Sequence, residues 1–456
     1  MTVSDYISSL RGKQVCVVGI GVSNTPLIEM LAKAGVKVIA CDRRDRAALG
    51  EKAQQLEAQG VQLKLGDAYL EDLKADVIFR TPGLRPDVPA LQRAREQGAQ
   101  ITSEMEAFFQ VCPCPIVAVT GSDGKTTTTT LIAEMLRAAG RRVHVGGNIG
   151  RPLLADAAEM EPGDMAVLEL SSFQLMTMQQ SPGIAVVTNV TPNHLDVHKS
   201  MEEYIAAKEN ILAAQTPQGL AVLNADNDIT RAFAARAPGQ ALLFSRRQSL
   251  PDGVDIENGV IRLRGRPVLP VEDILLPGVH NVENYMAAIG AVGHLVDAKV
   301  IRQVATSFAG VEHRIELVRT LRGVRYYNDS IASSPTRTIA GLHSFDQKVI
   351  LIAGGYDKKI PFDELGTEIT EHVKVLSLSG TTADKIRAAV ETAPGYRPGR
   401  PEILQSDSFE QAVQAAHRAA RPGDVVLMSP ACASFDQFQN FMLRGQAFKR
   451  IVDELE

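Results

Sequence analysis

The segment PIVAVTGSDGKTTTTT, residues 115–130, constrains the fold more than any other part of this chain. Residues 116–119 have the length and branched apolar character of a buried strand. Gly121, Ser122, Asp123 and Gly124 break that pattern, and Lys125 and Thr126 then open a helical stretch. Glycine permits positive φ and lets backbone N–H groups come close to an anion. A helix starting at this point aims its positive dipole end at the same place. The segment fits G-x-x-x-x-G-K-[ST] except that Val119 stands at the first glycine. The alternative is a tight strand–helix turn with an exposed lysine. Strand, GK[ST] and helix in immediate succession favour a phosphate loop, with Lys125 on the outer phosphates and Thr126 in a Mg²⁺ shell.

Two further glycine-marked strand–helix junctions, QVCVVGIGVSNTP and KVILIAGGYDKK, have strands near residues 15–18 and 349–352. Strand-length apolar runs alternate with helical patterns between them, which predicts parallel α/β architecture. One junction per domain accounts for 456 residues, at roughly 100–200 residues per domain. The alternating prolines of residues 112–115 disfavour helix and mark a connector. FAGVEHR, near 308–314, breaks a helical pattern that begins around Ile301. The expected domains are 1–110, 111–310 and 311–456: an N-terminal Rossmann-like domain, a central P-loop ATPase-like parallel sheet and a C-terminal Rossmann-like domain.

Composition narrows the function classes. Forty-eight Lys and Arg against 53 Asp and Glu give a net charge of −5, which excludes the generally basic surface that nucleic-acid binding needs. No apolar run approaches the length of a membrane span, and the first residues carry no secretory pattern. The five cysteines are odd in number and scattered, which predicts reduced thiols in a cytoplasmic protein. Cys112 and Cys114 have C-x-C spacing, but no second pair follows, and they are expected to be linker.

Ligands in open α/β sheets collect beyond the carboxyl ends of strands. Glu169 directly follows an apolar run at 165–168, and His194 and Asp196 follow another at 184–187. Glu169 is either a Mg²⁺ ligand or a solvated strand-end carboxylate. Lys208 sits on the apolar stripe of MEEYIAAKENILAA, in register with Tyr204, Ile205, Ile211 and Leu212. It either snorkels its ammonium to water or is desolvated, a state that favours the neutral amine. A neutral amine can take up carbon dioxide as a carbamate, an oxygen ligand for a hard cation.

Together these segments resemble the Mur ligase family of ATP-dependent amide-forming enzymes. TGSDGKT, GGNIG, ELSSFQ, NVTPNHLD and AAKENI occur in family order, followed by PGVHNVENYMAA, EHRIE, NDSIASSP, AGGYDKK and SPACASFDQF. The resemblance covers essentially the whole chain. Its last four segments point to a member that adds D-glutamate to UDP-N-acetylmuramoyl-L-alanine through an acyl phosphate, for peptidoglycan precursors. It implies ATP and two Mg²⁺ ions, one served by Thr126 and Glu169, the other by His194 and carbamylated Lys208. Gly121, Ser122, Asp123, Gly124, Lys125, Thr126 and Thr127 would hold phosphates. Asn281, Asn284, Arg314 and Asp329 would reach adenine and ribose, although capping of the helix start is an alternative for both asparagines. Ile331 stands where some members have a phosphate-contacting lysine.

The resemblance also assigns the outer domains. GIGVSN with Asp42 has the look of a dinucleotide fingerprint, but Asn24 replaces the third glycine. The family instead binds the UDP substrate there, implying Gly21, Val22, Ser23, Asp42, Arg43 and the turn at Thr81, Pro82 and Gly83. Asn148, Ser171 and His194 would contact the sugar and muramoyl side. D-glutamate would meet Lys358 (or its neighbour Lys359), Ser434, Phe435 and Phe441, the last alternatively a core aromatic. A monomer is expected. Competing readings are another amino-acid-adding Mur ligase, a folylpolyglutamate synthetase, an NAD-dependent oxidoreductase built on the first domain, and a nucleotide-regulated binding protein.

Overall fold

A computed structural model describes residues 1–194 and 197–456; Asp196 lies outside them. The described residues form three α/β sheets in two compact units. The first unit comprises Met1–Val271 and Glu283–Val304, and the second comprises Glu272–Val282 and Ala305–Glu456.

Two sheets belong to the first unit. One is wholly parallel, ordered Gln62–Leu65, Lys37–Asp42, Gln14–Val18, Val77–Phe79, Gln100–Thr102. Its strands are covered on both faces, which is why they read as continuous apolar runs. Val15, Val17, Ala40 and Phe79 enter one core, while Cys16, Val18, Cys41 and Ile78 enter another. The second sheet centres on Ile116–Thr120, flanked by Met165–Glu169 and Val143–Gly147 on one side and Ile184–Val187 and Leu220–Asn224 on the other. Past Gln240–Phe244 it ends in the antiparallel strands Val254–Glu257, Val260–Leu263 and Arg266–Pro270. The parallel part places the ends of three strands, Thr120, Glu169 and Val187, along one edge.

The six strands of the second unit run Glu316–Leu321, Val324–Asn328, Val425–Met428, Val349–Ala353, Val373–Leu378, Glu402–Gln405, with only the first antiparallel. Leu351 faces one core, and Ile350 and Ile352 the other. The expected strands at 15–18, 116–119, 184–187 and 349–352 are therefore present to within a residue. Glu169 is the last residue of its strand rather than the next one. All five cysteines are free, and Cys112 and Cys114 lie in the connector before residue 116. Among the described residues no helix is long and apolar enough to cross a membrane.

One buried cation ties the two sheets of the first unit together. Arg80, 1% exposed, follows the strand Val77–Phe79. Its guanidinium donates to the carbonyls of Pro82 (3.0 Å) and Leu84 (2.6 Å), then across to the Phe173 carbonyl (3.0 Å) and the Thr177 hydroxyl (3.1 Å). Burial lowers its pKa, opposed by the Glu106 carboxylate. A buried donor shared by this many part-buried acceptors cannot be removed cheaply, because each acceptor loses its partner where water only partly replaces it. Arg80→Met is expected to destabilise the first unit by about 3 kcal/mol or more. Urea unfolding followed by circular dichroism checks this, and an unchanged midpoint would contradict it.

Candidate active site

The loop from Gly121 to Gly124 leads from the strand Ile116–Thr120 into the helix Lys125–Ala138. Gly121 has φ +152°, and a Cβ there would lie 1.9 Å from the Thr188 hydroxyl; Gly124 has φ +77°. Both positions therefore require glycine. The loop is bolted to the end of the neighbouring strand. The Ser122 N–H donates to the Asn189 carbonyl and the Asp123 N–H to its side-chain oxygen, each at 2.9 Å. The Thr188 hydroxyl donates to the Asp123 carbonyl at 2.6 Å. Asn284 packs over the far end, its Oδ1 accepting from the Thr128 hydroxyl at 3.2 Å. Lys125 curls back over the loop, donating to the carbonyls of Gly121 (3.0 Å) and Ser122 (2.9 Å).

Lys208 is 2% exposed, so it does not snorkel. Its Nζ donates to the Gly121 carbonyl at 2.7 Å and lies 4.7 Å from the centroid of the Tyr204 ring, whose hydroxyl pairs with Ser122 at 2.9 Å. Burial, reinforced by the charge on Lys125, pulls the Lys208 pKa well below that of an ordinary lysine. Its neutral form is favoured accordingly.

Glu169 is 1% exposed, so the solvated reading fails for it as well. Its Oε2 accepts from the Thr126 hydroxyl and its Oε1 from the Asn148 amide, both at 2.7 Å. Gly147, with φ +96°, brings this turn so close that a Cβ would meet the Glu169 carbonyl at 2.1 Å. A buried carboxylate held by a hydroxyl and an amide has the hard oxygen donors that suit Mg²⁺.

His194 has φ +55° and stands edge-on to Phe173, with ring centroids 5.2 Å apart. Phe173 in turn stacks on His198, whose Nε2 pairs with Ser172 at 2.9 Å. Ser171 caps the helix Ser172–Leu175 in a capping box with Gln174. On the first sheet, Asp42 accepts from the Ile20 N–H at 2.7 Å and from the Arg44 guanidinium at 2.9 Å. Arg44, itself exposed, is thus the ion-pair partner of Asp42. Asn24, at the missing third glycine, donates to the Val18 carbonyl at 2.9 Å. A cavity of about 170 Å³ brings Val22, Ser23 and Pro82 together with Gly147, Asn148 and Gln174. A larger hollow of about 660 Å³, around Arg95, Glu106 and Met176, shares none of these residues.

The remaining predicted residues, Asn281, Arg314, Asp329, Lys358, Ser434, Phe435 and Phe441, belong to the second unit. Asn281 lies inside the helix Val279–Val292, its amide donating to the Pro277 carbonyl at 2.6 Å. Asp329 is buried and accepts from the Ser429 hydroxyl at 2.7 Å. Arg444, 2% exposed and not singled out from the sequence, knits three segments together. It donates to the Ser330 hydroxyl (3.1 Å) and carbonyl (2.9 Å) and to the Ala433 carbonyl (3.1 Å), beside Ser434. The Ser330 hydroxyl donates in turn to the Phe441 carbonyl at 2.7 Å. Lys358 reaches the same loop, donating to the Ser333 carbonyl at 3.2 Å. Phe435 is 64% exposed, whereas Phe441 is half-buried edge-on to His313. Arg44, Arg80, Thr188, Asn189 and Arg444 all escaped the sequence reading. Only Thr188 and Asn189, polar residues directly after a strand, carried a local signal.

Strand order and loop together define an α/β protein with a glycine loop of the phosphate-loop type between strand and helix, and comparison with known proteins narrows that class. Family models match for the Mur ligase MurD-like N-terminal domain (residues 13–103), the Mur ligase middle domain (119–292) and the Mur ligase glutamate ligase domain (313–432). The UDP-N-acetylmuramoylalanine--D-glutamate ligase of Acetivibrio thermocellus is 53% identical over 460 residues, covering 99% of both chains. That of Clostridium novyi is 49% identical over 455 residues, covering 100% of this chain and 99% of the relative. Among solved structures, the UDP-N-acetylmuramate-alanine ligase of Thermotoga maritima superposes with TM-score 0.60 at 17% identity, covering 97% of this chain and 99% of that one. The chain belongs to the Mur ligase family.

Burial pushes the Asp329 carboxyl up to about 7, opposed by the Ser429 hydrogen bond and by Arg314. The folded value lies above the ordinary 3.8. The protonated group therefore favours the fold below about pH 4, and that contribution is lost as pH rises to about 7. Asp329→Asn, which cannot ionise, should gain melting temperature relative to the native chain across that window. Parallel melting curves from pH 4 to 7.5 would contradict this.

Proposed function

We propose that this chain is an ATP-dependent ligase that joins D-glutamate to UDP-N-acetylmuramoyl-L-alanine by an amide bond, in cytoplasmic synthesis of peptidoglycan precursors. The observation that carries the reading is the pair of full-length relatives of that name, 53% and 49% identical. In this proposal residues 1–110 bind the UDP substrate, 111–310 ATP and 311–456 D-glutamate, and the enzyme acts as a monomer.

The reaction runs in two displacements. A carboxylate oxygen of the muramoyl-alanine substrate attacks the γ-phosphorus of ATP, and the bond to ADP breaks. The free amine of D-glutamate then attacks the acyl carbon, forms the C–N bond and expels phosphate, and the proton lost from nitrogen leaves with that phosphate. Both steps gather negative charge, so positioning and neutralisation supply most of the acceleration. The N–H groups of residues 121–127 and Lys125 hold the phosphates, and Asn281, Asn284, Arg314 and Asp329 hold the nucleoside. Thr126 and Glu169 would serve one Mg²⁺, and His194 and carbamylated Lys208 a second. When bound, these ions neutralise phosphate oxygens. The Lys208 carbamate arises when the neutral amine adds to carbon dioxide and releases a proton. The buried, low-pKa state of Lys208 supports that step.

Val22, Ser23 and Asn148, which share the small cavity, would hold the UDP substrate, with Gly21, Asp42, Arg43, Gly83, Ser171 and His194 around them. Lys358, Ser434, Phe435 and Phe441 would receive D-glutamate. The direction of Lys358 toward Ser333 favours it over Lys359.

Phosphate release from ATP with UDP-N-acetylmuramoyl-L-alanine should depend on D-glutamate. Release with L-lysine, diaminopimelate or L-alanine but not D-glutamate would overturn the assignment. Lys208→Ala should lower kcat roughly 100-fold or more, while exposed Lys199→Ala keeps the native rate. Full activity in Lys208→Ala would contradict the carbamate.

A further inference from the structure

A cluster of three side chains on the second unit is absent from the chemistry described above. His343 is the C-terminal cap of the helix Pro335–Leu342, and Glu368 and His372 lie one turn apart at the end of the helix Asp363–His372. Glu368 Oε2 lies 2.6 Å from His343 Nε2 and 3.4 Å from His372 Nε2, and the imidazole rings are 4.9 Å apart. All three donor atoms fall within 4.8 Å of one another. The three side chains are 50%, 24% and 33% exposed, so an ion reaches them from solvent without rearrangement of the fold.

We propose that His343, Glu368 and His372 form a surface site for a zinc-class divalent cation. Two imidazole nitrogens and a carboxylate are the donor set of three-ligand zinc sites with an open position. Imidazole favours zinc, nickel, cobalt or copper over magnesium and calcium, which prefer oxygen. The position adds to the chemistry, because the last turn of a helix carries partial negative charge and favours a cation.

The place in the fold separates this site from substrate. His372 directly precedes Val373, and His343 lies in the segment that leads into Val349, where their strands begin. Lys358 and Ser434 follow the ends of the strands Val349–Ala353 and Val425–Met428, at the opposite edge of the sheet. A bound ion would therefore cross-link two successive helices at the edge remote from the reaction, stabilising the second unit rather than turning over substrate.

The test titrates zinc into the metal-stripped full-length chain in excess Mg²⁺, with His343→Ala/His372→Ala as comparison. The native chain should bind one more zinc than the double variant, and each single histidine variant should bind it at least tenfold more weakly. With copper as probe, the native chain should show nitrogen couplings in its electron paramagnetic resonance spectrum that the double variant lacks. Ligase activity should be the same in all of them. Equal zinc stoichiometry and affinity in the native chain and the double variant would overturn the proposal.

Discussion

The contact between Glu169 and Thr126 organises the first unit. A carboxylate that is 1% exposed is costly unless its oxygens are satisfied. Here one oxygen takes the hydroxyl that opens the phosphate-loop helix, and the other takes Asn148 from the turn after Val143–Gly147. The contact fixes the loop against the adjacent strand and fixes Asn148 beside the cavity with Val22 and Ser23. Thr188 and Asn189 hold the opposite side of the loop, so it is gripped by strand ends on both flanks. Lys208 rises beneath it to the Gly121 carbonyl. With this geometry already in place, the proposed phosphate binding requires little rearrangement of the backbone.

Local chemistry made much of this legible. Residues 121–126 announced themselves because glycine spacing, a strand and a helix start occur together, and that combination has few other uses. Glu169 and Lys208 were ambiguous in sequence because exposure decides their meaning. A strand-end glutamate is ordinary when solvated, and a lysine on an apolar stripe is ordinary when its head reaches water. Burial removes the solvated alternative for Glu169 and the snorkelling alternative for Lys208. Arg80 and Arg444 were opaque because their roles consist of long-range bonds. Arg80 joins residues 93 apart in sequence, and Arg444 residues 114 apart.

The net charge of −5 takes on a different meaning with the site in view. The proposed reactants are anions, so the overall field of the protein does not draw them in. Lys125, the loop N–H groups, the helix dipole and Mg²⁺ must supply the attraction locally. Within the second unit, Arg444 contributes differently. Buried and pulled down to about 10 by desolvation, its guanidinium is engaged in fixing the Ser330 and Ala433 backbones rather than facing solvent.

In the proposed reaction, ATP held at the loop of residues 121–126 passes its γ-phosphoryl group to a substrate carboxylate. The most direct measurement follows oxygen atoms. If the carboxylate of UDP-N-acetylmuramoyl-L-alanine is labelled with ¹⁸O, transfer through an acyl phosphate predicts one labelled oxygen in each phosphate released during D-glutamate addition. Phosphate free of label, with both oxygens accounted for in amide and water, would contradict an acyl phosphate.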